Sequence, residues 1–213
     1  MVENDVAAID INMGCPKSFS LKGGMGAALL DKPETIHHIL SSLKCNLRIP
    51  ISCKIRVFED FDATLQLVRL IEQTGVDALA VHGRTKYERP QHLNRNDYIR
   101  AIRNEINIPV IANGGSSEIK CYDDISKFKS VTNASSVMIA RSAMKNVSIF
   151  NKHKPILDVD QLIIDYLKLA IQYDNNAINS KYCIQQILGN LQEIGKGKQL
   201  MGKTTETFFF MVW

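Results

Sequence analysis

The chain has 213 residues, of which 45% are apolar and 23% are charged, a composition that is typical of a folded domain and excludes global disorder. Its formal net charge of +4 is a mild basic excess, which is compatible with a nucleic-acid partner but does not by itself indicate one. The five cysteines form no CxxC pair and no zinc-type cluster with histidine, which argues against a disulfide framework or a metal site and predicts reduced thiols.

Five short segments rich in valine, isoleucine and alanine recur along the first two thirds of the chain. They cover residues 7–11, 51–55, 78–82, 109–112 and 136–140. Continuous apolar runs of this length favour strands that are buried on both faces of a parallel sheet. Amphipathic segments lie between them, so the repeated order of strand and helix predicts an α/β fold.

The ends of the intervening helices can be predicted from capping and terminating residues. Asp31 and Glu34, with Pro33 in the first turn, resemble a capping box that opens the first of these helices. Gly75 terminates the second helix. The second and the following helices are expected around residues 61–74, 98–106 and 119–128.

The pattern changes near residue 151, where two helical segments follow one another without a strand between them. These segments cover residues 158–173 and 181–191. We therefore expect three parts in the chain. They are an α/β part at residues 1–150, the start of a helical domain at 151–195, and a tail at 196–213 that fits no helix or strand.

Two α/β architectures compete, an open doubly wound sheet and a closed barrel. An open sheet that binds a dinucleotide carries GxGxxG after its first strand, and the chain has no such motif. Polar residues instead follow every predicted strand, which favours a barrel, because the loops after all barrel strands face one mouth. A barrel needs eight strand–helix units, so the five here predict the last five units of a partial (β/α)8 TIM barrel.

The segment Asn12-Met13-Gly14-Cys15-Pro16 brings a thiol to the end of the first strand. A free thiol is mostly protonated at neutral pH and can donate a proton to a substrate carbon. The next loop contains three glycines in four residues, which allow its backbone to approach a ligand closely and to shape the same pocket. Taken alone, each motif is equally compatible with a plain turn or a flexible loop.

Lys54 and His82 end the second and third predicted strands. A lysine inside a barrel is costly unless it meets an anion, and a reduced flavin is anionic at its N1–C2=O edge. His82 could form a hydrogen bond with a flavin or with a base. The alternatives are a lysine at the exposed end of its strand and a structural histidine.

Two further loops have the features of a phosphate site. Asn113, Gly114 and Gly115 end the fourth strand, and Ala140 and Arg141 end the fifth. In a barrel, the loops after the last two strands hold phosphate with backbone N–H groups and a helix N-terminus, and Arg141 adds a positive charge. One Gly-Gly turn is a weak signal, whereas two such loops in the last two units are a stronger one.

Together these segments resemble the tRNA-dihydrouridine synthases over about residues 6–150. The matching strings are NMGCPK at 12–17, KGGMGAAL at 22–29, TG at 74–75, AVHGR at 80–84, ERPQH at 88–92 and PVIANGG at 109–115. Within that family the strings are most similar to the eukaryotic type that modifies position 20 of the tRNA D-loop.

The resemblance implies an activity and a set of site residues. FMN, once reduced by NADPH, passes hydride to C6 of a uridine in tRNA, and Cys15 protonates C5. Lys54 and His82 match residues that contact the flavin and lie near the flipped-out base, and Asn12 matches a residue that contacts the uracil. The matches to the FMN phosphate loops are Asn113, Gly114, Gly115, Ala140 and Arg141.

Family members begin with a strand that carries an Ala-Pro-Met-like flavin segment, and the animal type 2 enzyme also carries a double-stranded-RNA-binding domain. Neither is found here, which predicts a chain that is truncated at both ends. A catalytically inactive fragment is one alternative, and another FMN barrel such as a dihydroorotate dehydrogenase is the second. The N-terminus has no signal-peptide pattern, and no apolar run reaches the roughly 18 residues of a membrane span. We therefore expect a cytoplasmic monomer whose partner is tRNA and not a membrane.

Overall fold

A computed structural model describes residues 5–202 of the chain. The chain divides into two compact units, Met1–Glu118 with Asp124–Ile139, and Ile119–Asp123 with Ala140–Trp213. These limits differ from the predicted domain limits at residues 150 and 195, which stay a prediction. Among the described helices, none combines the length and the apolar character that crossing a lipid bilayer requires.

The described part of the first unit is built on a parallel sheet. Its strands are Ile9–Asn12 (β1), Ile51–Arg56 (β2), Ala78–His82 (β3), Val110–Asn113 (β4) and Ser136–Met138 (β5). Each strand pairs in parallel with the next one along the chain, in the order β1-β2-β3-β4-β5. All five predicted strands are confirmed, with ends that shift by at most two residues.

The sequential strand order distinguishes between the two candidate architectures, a doubly wound sheet and a barrel. In a doubly wound sheet the strand order reverses at a switch point, and helices cover both faces. The described strands show no such reversal. Crossovers between parallel strands are right-handed in nearly all proteins, so this order predicts that the connecting helices lie on one side of the sheet. The α/β prediction is confirmed, and the strands follow the order that a barrel requires.

The two faces of the sheet differ in polarity. Side chains alternate between the faces along each strand, and the register places most apolar residues beside apolar ones and most polar residues beside polar ones. The apolar face carries Ile51, Cys53, Ile55, Leu79, Val81, Val110 and Ala112, all of them fully buried. The polar face carries Asp10, Asn12, Ser52, Lys54, Arg56, His82 and Asn113. The expectation of burial on both faces is wrong for β1, whose residues alternate between half-buried and exposed, and for β5, none of whose residues is buried.

Helices connect the strands. They are Ser18–Lys22 (α1), Pro33–Asn46 (α2), Phe61–Gln73 (α3), Asn96–Glu105 (α4) and Tyr122–Thr132 (α5). Asp60 caps α3 with its carboxylate, and Gly75 follows that helix with a left-handed φ of +80°, as predicted. The predicted capping box of α2 is wrong, because its N-cap residue is Lys32, no side chain caps it, and Asp31 instead pairs with Lys86.

The second unit is mainly helical in its described part. Its helices are Arg141–Lys145 (α6), Val159–Gln172 (α7), Ala177–Leu188 (α8) and Gly195–Met201 (α9). The two predicted helices are confirmed as α7 and α8, whose buried core consists of Ile163, Leu167, Ile184 and Leu188. The prediction of a tail without an element is wrong where α9 forms, and residues 203–213 lie outside the described residues.

Ile55 is fully buried on the apolar face of β2, so its truncation tests the core of the sheet. We expect Ile55→Ala to lower the free energy of unfolding by about 2–5 kcal/mol, because close-packed neighbours fill the resulting cavity only in part. Urea denaturation followed by circular dichroism measures this loss. The control is Val131→Ala, at an exposed position of α5, which should change the value by less than about 0.5 kcal/mol. A loss no larger than that of the control would contradict this assignment of the core.

Candidate active site at the carboxyl ends of the strands

Four of the predicted site residues lie on the polar face, at the carboxyl ends of neighbouring strands. Asn12 is the register partner of Lys54, and His82 is the register partner of Asn113. Arg56 lies two positions beyond Lys54 on β2 and pairs with His82. Because paired residues of a sheet point to the same face, these side chains form one continuous polar edge.

Cys15 lies in the loop after β1, where the side chain of Asn12 holds the backbone. Asn12 Oδ1 accepts hydrogen bonds from the N–H groups of Gly14 and Cys15, both at 3.1 Å. The N–H of Met13 donates to the carbonyl of Lys54 at 2.8 Å and fixes the loop on β2. The half-buried Cys15 is thus positioned by Asn12 and anchored beside Lys54.

The glycine-rich loop packs directly against Cys15. The N–H of Ala27 donates to the Cys15 carbonyl at 3.0 Å. Gly26 has a left-handed φ of +57°, and a Cβ at this position would lie 2.8 Å from the carbonyl oxygen of Cys15 and 2.9 Å from its Cβ. A larger residue at position 26 would displace Cys15, so this loop shapes the surroundings of the thiol, as the sequence predicts.

Lys54 carries its charge in a partly buried position. Burial, and to a smaller extent the positive charge of Arg56, lower the pKa of Lys54 to about 8. Negative charge on Asp10 or on Cys15 acts in the opposite direction. The ammonium group has lost part of its hydration, so it would gain more from a bound anion than an exposed lysine would.

Arg56 is absent from the predicted site residues, yet it links two loops at this edge. Its side chain is buried, and its Nε donates to the carbonyl of Gly14 at 2.8 Å. Its Nη1 donates to the carbonyl of Thr85 at 2.8 Å. The loop that carries Cys15 is thereby joined to the loop after β3. The sequence could have identified Arg56 by its spacing of two residues from Lys54, because residues two apart on a strand lie on the same face.

His82 is buried, and its ring contacts a second arginine that the sequence did not single out. Nη1 of Arg84 lies 3.2 Å from Nε2 of His82 and donates to the carbonyl of Gly114 at 2.8 Å. Nε of Arg84 donates to the carbonyl of His92, also at 2.8 Å. Arg84 therefore connects the loop after β3 to the loop after β4.

Asn113, Gly114 and Gly115 form the end of β4 and the turn that follows it. Asn113 is buried, and its Nδ2 donates to the carbonyl of Met138 at 2.8 Å, which ties β4 to β5. Gly114 has a left-handed φ of +111°, and a Cβ there would lie 2.8 Å from Cδ2 of His82. A Cβ at Gly115 would lie 2.6 Å from an aromatic ring of α5. Both positions therefore require glycine.

Ala140 and Arg141 belong to the second unit and are described with it. Ala140 precedes α6, Arg141 is its first residue, and both are exposed. Their contribution to a phosphate site with residues 113–115 stays a prediction.

An ion cluster that the sequence does not reveal holds the loop after β3. Arg95 donates to Glu88 at 2.5 Å and to both carboxylate oxygens of Glu59 at 2.9 Å. Glu88 also accepts the N–H of Thr85 at 2.6 Å. Partial burial works against ionisation of Glu88, but the bonds from Arg95 and Thr85 hold its pKa below the usual value. The loop thus has a fixed backbone where Arg56 and Arg84 bind it.

The polar edge combines a thiol, an amine and an imidazole. Burial raises the pKa of Cys53, on the apolar face, to about 12, so Cys53 stays protonated and unreactive, whereas Cys15 lies on the side of Lys54. A protonated thiol can donate a proton, and a half-buried ammonium can hold an anion. The arrangement therefore fits an anionic cofactor beside a proton donor.

The sequence matches a known family over most of its length. The family described as Dihydrouridine synthase (Dus) matches residues 1–201. A tRNA-dihydrouridine(20) synthase of Schizosaccharomyces pombe is 36% identical over 216 residues, which cover 98% of this chain and 44% of the relative. The Saccharomyces cerevisiae protein of that name is 35% identical over 199 residues, covering 88% of this chain and 52% of the relative.

A tRNA-dihydrouridine(16/17) synthase-like protein of Rattus norvegicus is 32% identical over 168 residues, which cover 78% of this chain and 37% of the relative. All three relatives carry NAD(P)+ in their names. The chain spans about half of the length of these relatives or less.

Lys54→Met removes a charge whose burial is unfavourable. Below the folded-state pKa of about 8, Lys54 is protonated in both the folded and the unfolded chain, so the folded chain carries the full cost of the buried charge. We expect the variant to be more stable than the wild type at pH 7 by about 2–3 kcal/mol. The gain should shrink as the pH rises from about 8 towards 10.5, because only the folded chain then releases the proton.

Urea denaturation of both proteins at pH 7 and near pH 10 measures this difference. Lys127→Met, at a lysine whose side chain is 74% exposed, is the matched control and should show little change at either pH. A Lys54→Met variant that is less stable than the wild type at pH 7, or a gain that does not depend on pH, would contradict a half-buried charge at position 54.

Proposed function

Since the chain belongs to the dihydrouridine synthase family, we propose that it forms the catalytic edge of an enzyme that reduces uridine in tRNA to 5,6-dihydrouridine. The observation that carries this proposal is the loop of Cys15, whose backbone N–H donates to Asn12 Oδ1 and which is anchored on β2 by the bond from Met13 to the Lys54 carbonyl. We assign the uridine to position 20 of the D-loop, because two of the relatives carry that position in their names. Their names also support NADPH as the source of electrons.

We propose FMN as the cofactor. Lys54 would hold the anionic N1–C2=O edge of the reduced flavin, because a half-buried ammonium with a lowered pKa gains much from an anion. His82, at the end of β3, would form a hydrogen bond with the flavin or with the base. The phosphate would be bound by Asn113, Gly114, Gly115, Ala140 and Arg141.

When bound and reduced by NADPH, FMN would supply the hydride for C6 of the uracil. Cys15 donates its thiol proton to C5, so that the C5=C6 double bond becomes a single bond and a thiolate is left. The positive charge of Lys54 stabilises this thiolate, in keeping with the electrostatic interaction between the two groups. Asn12 holds the backbone of Cys15 and would contact the uracil, and the thiolate regains its proton from solvent.

We further propose that the sheet supplies the last five units of a (β/α)8 barrel and that residues 151–195 begin a tRNA-binding helical domain. The sequential parallel order and the polar residues at the strand ends support the barrel. All five cysteines are free thiols, which suits a reducing compartment such as the cytoplasm. The monomeric state stays a prediction.

Cys15→Ala tests the role of the thiol. We expect dihydrouridine formation to fall by at least about 100-fold, which is the usual effect of losing a general acid. The visible absorbance of bound flavin should not change, because the thiol supplies the proton and does not hold the cofactor. The measurement is mass spectrometry of nucleosides from tRNA lacking dihydrouridine, after incubation with the chain, FMN and NADPH.

The control is Cys45→Ala, because Cys45 is an exposed thiol on α2, and its turnover should equal that of the wild type. Unchanged turnover in Cys15→Ala would refute the proton-donor role. Oxidation of dihydroorotate in place of uridine reduction would favour the dihydroorotate dehydrogenase alternative. A wild-type chain that binds no flavin would favour an inactive fragment.

A further inference from the structure

Arg84 is a buried arginine at the centre of the loops that follow β3 and β4, with only 2% of its surface exposed. Its Nε donates to the carbonyl of His92 at 2.8 Å, and its Nη1 donates to that of Gly114 at 2.8 Å. Besides these bonds to the backbone, Nη1 lies 3.2 Å from Nε2 of His82. One guanidinium therefore holds two loops and also reaches the imidazole.

The hydrogen bond between Arg84 and His82 can run in only one direction. A guanidinium has five donors and no acceptor, and it stays charged at every pH at which proteins are folded. Nε2 of His82 must therefore accept, and the proton of the neutral imidazole lies on Nδ1. A second proton on the ring would turn Nε2 into a donor that points at another donor.

Gly114 packs closely against the same ring. A Cβ at Gly114 would lie 2.8 Å from Cδ2 of His82, so the Cδ2–Nε2 edge of the ring packs against this backbone. A flipped ring would turn a carbon atom towards Arg84 and would lose the hydrogen bond. The hydrogen bond from Arg84 thus selects this orientation of the ring, since Nδ1 and Cδ2 are nearly equal in size and the contact with Gly114 admits either atom.

The charged side chains beside His82 also favour the neutral ring. Arg56 is its register partner on β2, and Lys54 lies on the same face of that strand. Arg84 comes from the loop after β3, and β4 contributes the uncharged amide of Asn113. A second proton on His82 would therefore meet positive charges from β2 and from its own loop.

We propose that Arg84 is a positioning residue that holds His82 as a neutral imidazole with its proton on Nδ1. His82 then acts at the flavin site as a hydrogen-bond donor through Nδ1, and neither as an acid nor as a cation. This consequence for the flavin rests on the proposed function, whereas the state of the ring does not. The three side chains then have different roles: Cys15 supplies the proton, Lys54 supplies the positive charge, and His82 supplies a neutral hydrogen-bond donor.

Long-range 1H–15N spectra of the 15N-histidine-labelled chain distinguish the two imidazole tautomers. The signals of His82 are assigned by their loss in His82→Gln. We expect wild-type His82 to show a protonated Nδ1 and an unprotonated Nε2 at pH 7. The signals of the exposed His153 serve as an internal reference.

Two substitutions of Arg84 separate its charge from its volume. In Arg84→Gln we expect His82 to show a mixture of tautomers and to take up a proton at a higher pH, because the cationic donor is gone. Arg84→Lys keeps a cationic donor and should retain the Nδ1 form. Arg89→Gln is the matched control in the same loop, since the Arg89 guanidinium donates to backbone carbonyls of its own loop. It should leave the His82 spectrum unchanged.

An Nε2-protonated His82 in the wild type would overturn the proposal, and so would a His82 spectrum that Arg84→Gln leaves unchanged. If Arg84→Gln fails to fold, the wild-type tautomer and the Arg84→Lys spectrum decide. These measurements need neither flavin nor tRNA. A chain that forms no dihydrouridine would therefore count against the proposed function and not against the state of His82.

Discussion

The burial of positive charge at one edge of the sheet is the constraint on which the candidate site depends. A charge removed from water destabilises the fold unless new bonds replace its hydration. Arg56 and Arg84 meet this requirement by donating to main-chain carbonyls, and those carbonyls belong to the loops after β1, β3 and β4. Burying the two arginines therefore assembles the loops around Cys15 and His82.

Lys54 is also a partly buried positive charge, but its pKa is lowered by that burial. Its pKa falls to about 8, so the group stays charged near neutral pH at a cost to the folded state. The apolar face of the sheet, with fully buried side chains from β2 to β4, provides stability that offsets this cost. One face of β2, β3 and β4 thus supplies the core, and the opposite face carries the charged and polar side chains of the candidate site.

Much of this arrangement could be predicted from local sequence patterns. The apolar runs locate all five strands, and the strand-end positions of Cys15, Lys54 and His82 place them on one edge. The contacts that fix those side chains could not be predicted in this way. Arg56 binds a carbonyl 42 residues away at Gly14, and such a contact exists only after the sheet has formed.

Two local predictions failed for related reasons. The expected capping role of Asp31 is lost because a distant partner, Lys86, pairs with its carboxylate. The prediction of burial on both faces is wrong for β1, because Asp10 and Asn12 lie on the polar face and are exposed. In both cases tertiary contacts or exposure outweighed a pattern that is correct for an average helix or strand.

In the proposed site, Lys54 offers its half-buried charge to an anionic flavin. Anaerobic titration of the chain with reduced FMN at several pH values tests it most directly. We expect the affinity for reduced FMN to fall as the pH rises through about 8, where Lys54 loses its proton. Lys54→Met should bind weakly at every pH, without this dependence. Equal affinity of the wild type and Lys54→Met across that range would contradict this role of Lys54.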